Sequence, residues 1–246
     1  MGPGRRRDDY FEAMSETGNF DAAPVANRVF VLILQHPHEK REPLATAPAI
    51  VATLRHAKLA PGLSWPNLAR PLGHDSDPRR WAALYLGSAR PADFADRREL
   101  LLIGRDGQPV ADPAPVLRGL DGIVLIDGTW SQAKTLWWRN PWLLKLHRLV
   151  LNPPQPARLG KLRREPRREA LSTLEAAALA LRHLEAGPEA ADALLAALGH
   201  LMAAAQPTQP ASAISRTSEG SSVTSMVTAA LQIFSSGRSA RQRQRK

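Results

Sequence analysis

Five short apolar runs, Val29–Leu34, Ala82–Leu86, Leu100–Ile103, Ile123–Ile126 and Leu149–Leu151, set the limits on this fold. Each is only a few residues long and closed off by Gly, Pro, Asp or Asn nearby. Segments that are apolar on both faces and this short read as strands covered on both sides, the habit of parallel sheets. Helical segments lie between them, Ala47–His56 and Ser131–Arg139 among them. The alternation predicts an α/β fold: a mostly parallel sheet flanked by helices. Residues 171–185, LSTLEAAALALRHLE, carry the clearest helical pattern. Ser172 and Glu175 form a capping box, and Leu174, Ala177, Ala178 and Leu181 fall on one face. Gly187-Pro188 stops that helix, and Asp192–Ala205 reads as another that packs on the domain.

The 246 residues allow one domain of about 150–200 residues with tails. We divide the chain into a polar arm (1–27), a folded domain (28–205) and a tail (206–246) rich in Ser, Thr, Gln and Pro that ends in RSARQRQRK. The tail has too little apolar surface to offset the entropy of ordering, so disorder is expected there. With 43% hydrophobic and 23% charged residues the chain can build a core. It has no cysteine, which excludes disulfides, thiolate nucleophiles and cysteine-held metal, and a cytoplasmic setting is expected. No apolar run is long enough to cross a bilayer, and residues 2–20 lack the apolar core of a secretory signal.

The formal charge of +10 points to a polyanionic partner. Most of the excess sits in the folded part, and Arg158, Lys161, Arg163, Arg164, Arg167 and Arg168 crowd into eleven residues in which Glu165 is the one acid. Guanidinium groups pair with phosphate in bidentate fashion, so the strip reads either as an RNA-backbone contact or as a solvated loop.

The chemistry concentrates in GIVLIDGTWSQAKTLWWRNPW, residues 122–142: a strand, the loop Asp127-Gly128-Thr129-Trp130, then a helix ended by Asn140-Pro141. Ligand sites in open α/β sheets lie past the carboxyl ends of strands, where Asp127 falls. Thr129 suits an N-cap. Trp130, Trp137 and Trp138, at offsets of seven and eight, are read as sharing a face, which packs on the sheet more often than it forms a base-stacking platform, Trp130 less firmly than Trp137 because it directly follows the loop. His36 and His38 lack the further spaced ligands a metal needs, so loop roles are expected for them, with His36 near the pocket and no metal bound.

Asp127-Gly128-Thr129-Trp130 with the following Ser131-Gln132-Ala133-Lys134 resembles the signature of the DTW-domain proteins, the tRNA-uridine aminocarboxypropyltransferases. Leu32–Lys40 (LILQHPHEK), Leu84-Tyr85 and Leu162–Glu175 (LRREPRREALSTLE) resemble further segments of that family in the same order. The likeness spans about residues 28–187. Its implications are a SPOUT-like fold with a C-terminal trefoil knot and S-adenosylmethionine as co-substrate. The implied reaction transfers the 3-amino-3-carboxypropyl group to N3 of a tRNA uridine. Many members carry zinc-spaced N-terminal cysteines that this chain lacks, so no structural zinc is expected. By this resemblance Asp127, Thr129 and Trp130 are the candidate catalytic residues, Asp127 as general base or as a fixed charge toward the donor. Ser131, Ser172, Thr173, Glu175 and His36 are the candidate cofactor contacts, although a capping box alone accounts for Ser172 and Glu175. The six-residue basic strip would meet tRNA. A methyltransferase on the same scaffold, or a binding protein without turnover, are the competing functions. Nothing in the patterning fixes an oligomeric state.

Overall fold

The computed structural model describes residues 23–41, 46–85, 98–152 and 171–204. They form a six-stranded sheet with helices on both faces. In chain order the strands are β1 (Phe30–Gln35), β2 (Ala57–Pro61), β3 (Trp81–Leu84), β4 (Leu100–Ile103), β5 (Gly122–Asp127) and β6 (His147–Leu151). The helices are α1 (Ala47–Thr53), α2 (Ala69–Leu72), α3 (Ala114–Arg118), α4 (Trp130–Arg139), α5 (Thr173–Leu184) and α6 (Glu189–Ala204). The sheet order is β2-β1-β5-β3-β6-β4, parallel throughout except that β4 runs antiparallel to β6.

Side-chain alternation along the central strands divides the core in two. Val31 and Ile33 of β1, with Ile123 and Leu125 of β5, enter the cluster built with Ile50 of α1, Leu174 and Leu181 of α5 and Leu194 of α6. The intervening Leu32, Leu34 and Val124 face the other way, against Leu68, Leu72, Trp81, Trp142 and Leu143. Both faces being covered is why these strands read as unbroken apolar runs rather than alternating ones. Gly122 makes room for Trp81: a Cβ there would lie 2.5 Å from the indole Cζ3 and 2.9 Å from the Phe30 carbonyl oxygen.

The sequence reading differs from this structure in three places. Strand β2 was not expected, because AKLAP is neither uniformly apolar nor β-branched; it lies at the sheet edge, where Pro61 is tolerated and the Lys58 ammonium reaches out to the Leu72 carbonyl oxygen at 2.8 Å. The helix expected to run to His56 ends at Thr53, since Leu54 is extended and pairs with Val25 before the chain enters β2. Strand β4 joins the far edge antiparallel, an exception the run Leu100–Ile103 does not reveal. The arm up to Ala22, the basic strip and the tail from Ala205 onward lie outside the described residues, as does the whole segment 153–170 between β6 and α5.

Candidate active site at the carboxyl edge of the sheet

Strands β1, β5 and β3 lie side by side and end at the same edge. Parallel register sets Gln35, the last residue of β1, directly beside Asp127, the last residue of β5. The pairing brings two polar side chains together at the end of two otherwise aliphatic strands. Asp127 is buried, and Gln35 more so. The Gln35 Nε2 donates to Asp127 Oδ2 at 3.0 Å, and the Thr173 hydroxyl donates to Oδ1. One carboxylate therefore ties β1, β5 and the first turn of α5 to a single point. The backbone closes the same junction, with the His36 N–H donating to the Asp127 carbonyl oxygen at 2.9 Å.

Two helices begin here. Thr129 caps α4 through a full capping box: Gln132 N–H donates to Thr129 Oγ1, and Thr129 N–H to Gln132 Oε1 at 2.7 Å. Gly128 permits the close approach this needs, since a Cβ there would lie 2.9 Å from Gln132 Cβ and 3.4 Å from His36 Cβ. Ser172 caps α5, its N–H and hydroxyl both donating to Glu175 Oε2 at 3.0 and 2.8 Å. Free amides and aligned dipoles make such helix starts favourable for negative groups, a general property of this edge of the sheet.

The remaining groups flank this junction. His36 Nδ1 accepts from the His38 N–H at 3.3 Å, so the ring proton of the neutral form belongs on Nε2. Burial lowers the His36 pKa from its ordinary 6.5, and nearby His38 lowers it further, against the opposite pull of Glu39. Tyr85, which follows β3 at this edge, stacks on Trp137 of α4 with centroids 4.4 Å apart and planes 18° apart. Burial raises the Tyr85 pKa from 10.0, with Arg148 opposing, so the phenol stays neutral at working pH.

The sequence-predicted residues thus fall into three groups. Asp127 and Thr173 are in direct contact, and Thr129, Trp130 and His36 border them. Ser172 and Glu175 are buried and bonded to each other, and Ser131 is exposed on the first turn of α4. Arg158, Lys161, Arg163, Arg164, Arg167 and Arg168 lie outside the described residues. The expectation of one shared tryptophan face fails. Trp130 and Trp137 are half-buried, whereas Trp138, about 100° further round the helix, is 72% exposed. Gln35 was missed as a site residue, although a polar residue closing the run Val31–Leu34 at the level of Asp127 was the available signal. Its Oε1 is buried without a hydrogen-bond partner, an unsatisfied acceptor on a side chain whose Nε2 already serves Asp127. Among the described residues no group of three His, Asp or Glu could hold a metal, and no helix is long and apolar enough to cross a membrane.

Fold and candidate site define an open α/β protein with an Asp-Gly-Thr-Trp turn at the carboxyl ends of its central parallel strands, the edge where ligand sites of such sheets generally lie. The chain belongs to the DTW-domain family, whose domain matches residues 20–206. Among curated proteins it is similar to tRNA-uridine aminocarboxypropyltransferase 2 of Macaca fascicularis, at 30% identity over 170 residues, covering 67% of this chain and 50% of that protein. The proteins of the same name from Mus musculus (29% over 170 residues, 66% of this chain and 50% of the relative) and Drosophila melanogaster (31% over 163 residues, 65% and 57%) are also similar. The chain spans about half the length of these relatives. No solved structure gives a significant match.

Proposed function

We propose that this protein is a tRNA-uridine aminocarboxypropyltransferase, moving the 3-amino-3-carboxypropyl group of S-adenosylmethionine to N3 of a uridine. The observation that carries the reading is the buried Asp127 carboxylate, anchored by Gln35 and Thr173 where two helix N-termini meet in the Asp-Gly-Thr-Trp turn. The fit to the donor is chemical: a carboxylate suits its sulfonium or ammonium, the unpartnered Gln35 Oε1 suits a hydrogen-bond donor, and the start of α5 suits its carboxylate. Bound there, S-adenosylmethionine supplies a carbon made electrophilic by the sulfonium.

In the net reaction an N3–C bond forms, the C–S bond breaks, methylthioadenosine leaves and the N3 proton is released. Asp127 either accepts that proton or holds the donor's cationic end, with Gln35 and Thr173 fixing the carboxylate in both cases. The two roles separate in kinetics: Asp127→Asn lowers kcat with little change in the donor KM if it is the base, and raises that KM if it is the charge partner. Thr129 holds the turn through its cap, Trp130 borders the pocket, and neutral His36 offers an Nε2 proton to a bound oxygen or nitrogen. Ser172 and Glu175 shape the start of α5, and Ser131 stands at the outer rim. Arg158, Lys161, Arg163, Arg164, Arg167 and Arg168 contact the tRNA backbone in this reading.

The accompanying architecture is a SPOUT-like domain over residues 28–205 with a C-terminal knot, an arm before it and a basic tail after it, working in the cytoplasm without metal. In support, β5 lies between the earlier β1 and β3, and α5 returns to the end of β5 through Thr173. The test is to incubate the purified chain with unmodified tRNA and S-adenosylmethionine and to weigh nucleosides and small-molecule product. An aminocarboxypropyl-uridine with methylthioadenosine is expected; a methylated nucleoside with adenosylhomocysteine, or no turnover on any tRNA, would overturn the proposal.

A further inference from the structure

Trp137 and Trp138 are neighbours with opposite surroundings. The first is turned inward onto Tyr85, and the second stands 72% exposed. A lone exposed tryptophan is unremarkable by itself. Here, however, its own helix face carries two more exposed residues, Lys134 one turn before it and Ser131 another turn before that. Ser131 lies in the first turn of α4, directly beyond the Thr129 cap of the Asp127 turn. The stripe Ser131–Lys134–Trp138 therefore starts at the rim of the candidate site and runs about 10 Å along the helix. That is the length of about three stacked nucleotides at 3.4 Å each.

Charge singles out the occupant. No Asp or Glu occurs between Asp127 and Glu165, a stretch that holds eight Lys and Arg. Lys134, Arg139 and Lys145 are exposed and hold no ion pair among the described residues. An accessible indole face beside unneutralised cations, on a stretch of chain without an acidic residue, is what a single-stranded nucleic acid requires: stacking for a base and a counter-charge for the backbone.

We propose that the outward face of α4 is a track for unpaired RNA next to the target uridine, with Trp138 stacking a flanking base and Lys134 pairing with the intervening phosphate. The inference rests on the proposed function only in naming the site an RNA-modifying one; the binding it describes needs no turnover.

The experiment uses the full chain and a fluorescein-labelled RNA hairpin with a uridine-containing loop, followed by fluorescence anisotropy at several salt concentrations without S-adenosylmethionine. A blunt RNA duplex of equal length serves as the comparison. Trp138→Ala should weaken hairpin binding about ten- to a hundredfold and leave duplex binding unchanged, while Trp138→Phe keeps affinity within about threefold. Lys134→Gln should reduce the slope of log affinity against log salt by about one. Trp138 is exposed, so the melting temperature of each variant should match the parent. Hairpin affinity within twofold of the parent for Trp138→Ala, or no hairpin binding by the parent, would overturn the proposal. So would loss of self-association in Trp138→Ala with RNA affinity intact, which would make this face a contact between copies. Loop-selective, Trp138-dependent binding by a chain that modifies no tRNA would uphold the track and sink the proposed reaction; full tRNA turnover with Trp138-independent binding would do the reverse.

Discussion

Removing the Thr173 hydroxyl isolates one arm of the Asp127 junction. Thr173→Val keeps the shape of the side chain but deletes the donor to Asp127 Oδ1, leaving the Gln35 bond to Oδ2 in place. A hydrogen bond to a charged group contributes about 1.5–3 kcal/mol. With a urea m-value of about 2 kcal/mol/M, the unfolding midpoint should fall by about 1 M with m unchanged. The informative step is the cycle. In an Asp127→Ala background the Thr173 hydroxyl no longer has a carboxylate to serve, so the same Thr173→Val change should cost close to nothing. The difference between the two backgrounds is then a coupling of about 1.5–3 kcal/mol across 46 residues of sequence. Equal costs in both backgrounds, within about 0.5 kcal/mol, would refute the argument that Asp127 fastens α5 to the sheet, whatever its part in chemistry.

Asn140 is fully buried; its Oδ1 accepts from Trp65 N–H at 2.8 Å and Trp142 Nε1–H at 3.3 Å, and its Nδ2 donates to the Leu136 and Leu63 carbonyls. Asn140→Ala strands all of these and should cost about 2–4 kcal/mol in urea unfolding; a loss below about 1 kcal/mol would contradict it. Gly128→Ala should disrupt the Thr129–Gln132 cap at a cost of about 1–2 kcal/mol, and abolish tRNA modification more completely than its stability loss explains. His36 should titrate by NMR with a midpoint below 6.5. Because the unfolded chain then binds the proton more readily, the stability His36 contributes is complete above about pH 6.5 and is lost as pH falls through the lower folded value. A midpoint at or above 6.5 would show that its ring is not desolvated as described.

The fold was legible where burial leaves a compositional trace. Strands β1 and β5 are covered on both faces and so appear as unbroken apolar runs, and Thr129 and Ser172 announce their helices through capping pairs three residues apart. Strand β2 was illegible because an edge strand with Lys58 and Pro61 is held by backbone pairing to β1 rather than by its own side chains. Asp127 stood out by position, but Gln35 did not, since their partnership depends on a register between strands 92 residues apart that no local pattern encodes. The tryptophans of α4 were misjudged for a different reason: seven- and eight-residue offsets both look like one face on paper, yet residues 137 and 138 differ by 100°, enough to send one indole inward and the other into water.

Strand β5 occupies the slot between β1 and β3, although both are made long before it. While the ribosome is still producing the first 121 residues, those two strands have no neighbour between them, and each presents an open edge that could recruit another chain. Insertion of β5 fills that gap, β6 then slots between β3 and β4, and only the later arrival of α5 brings Thr173 to Asp127. The order of synthesis thus makes the site a late part to assemble, complete only when the start of α5 has been made: a nascent or truncated chain carries exposed sheet edges before it carries any chemistry, and its yield in the cell should depend on protection during that interval.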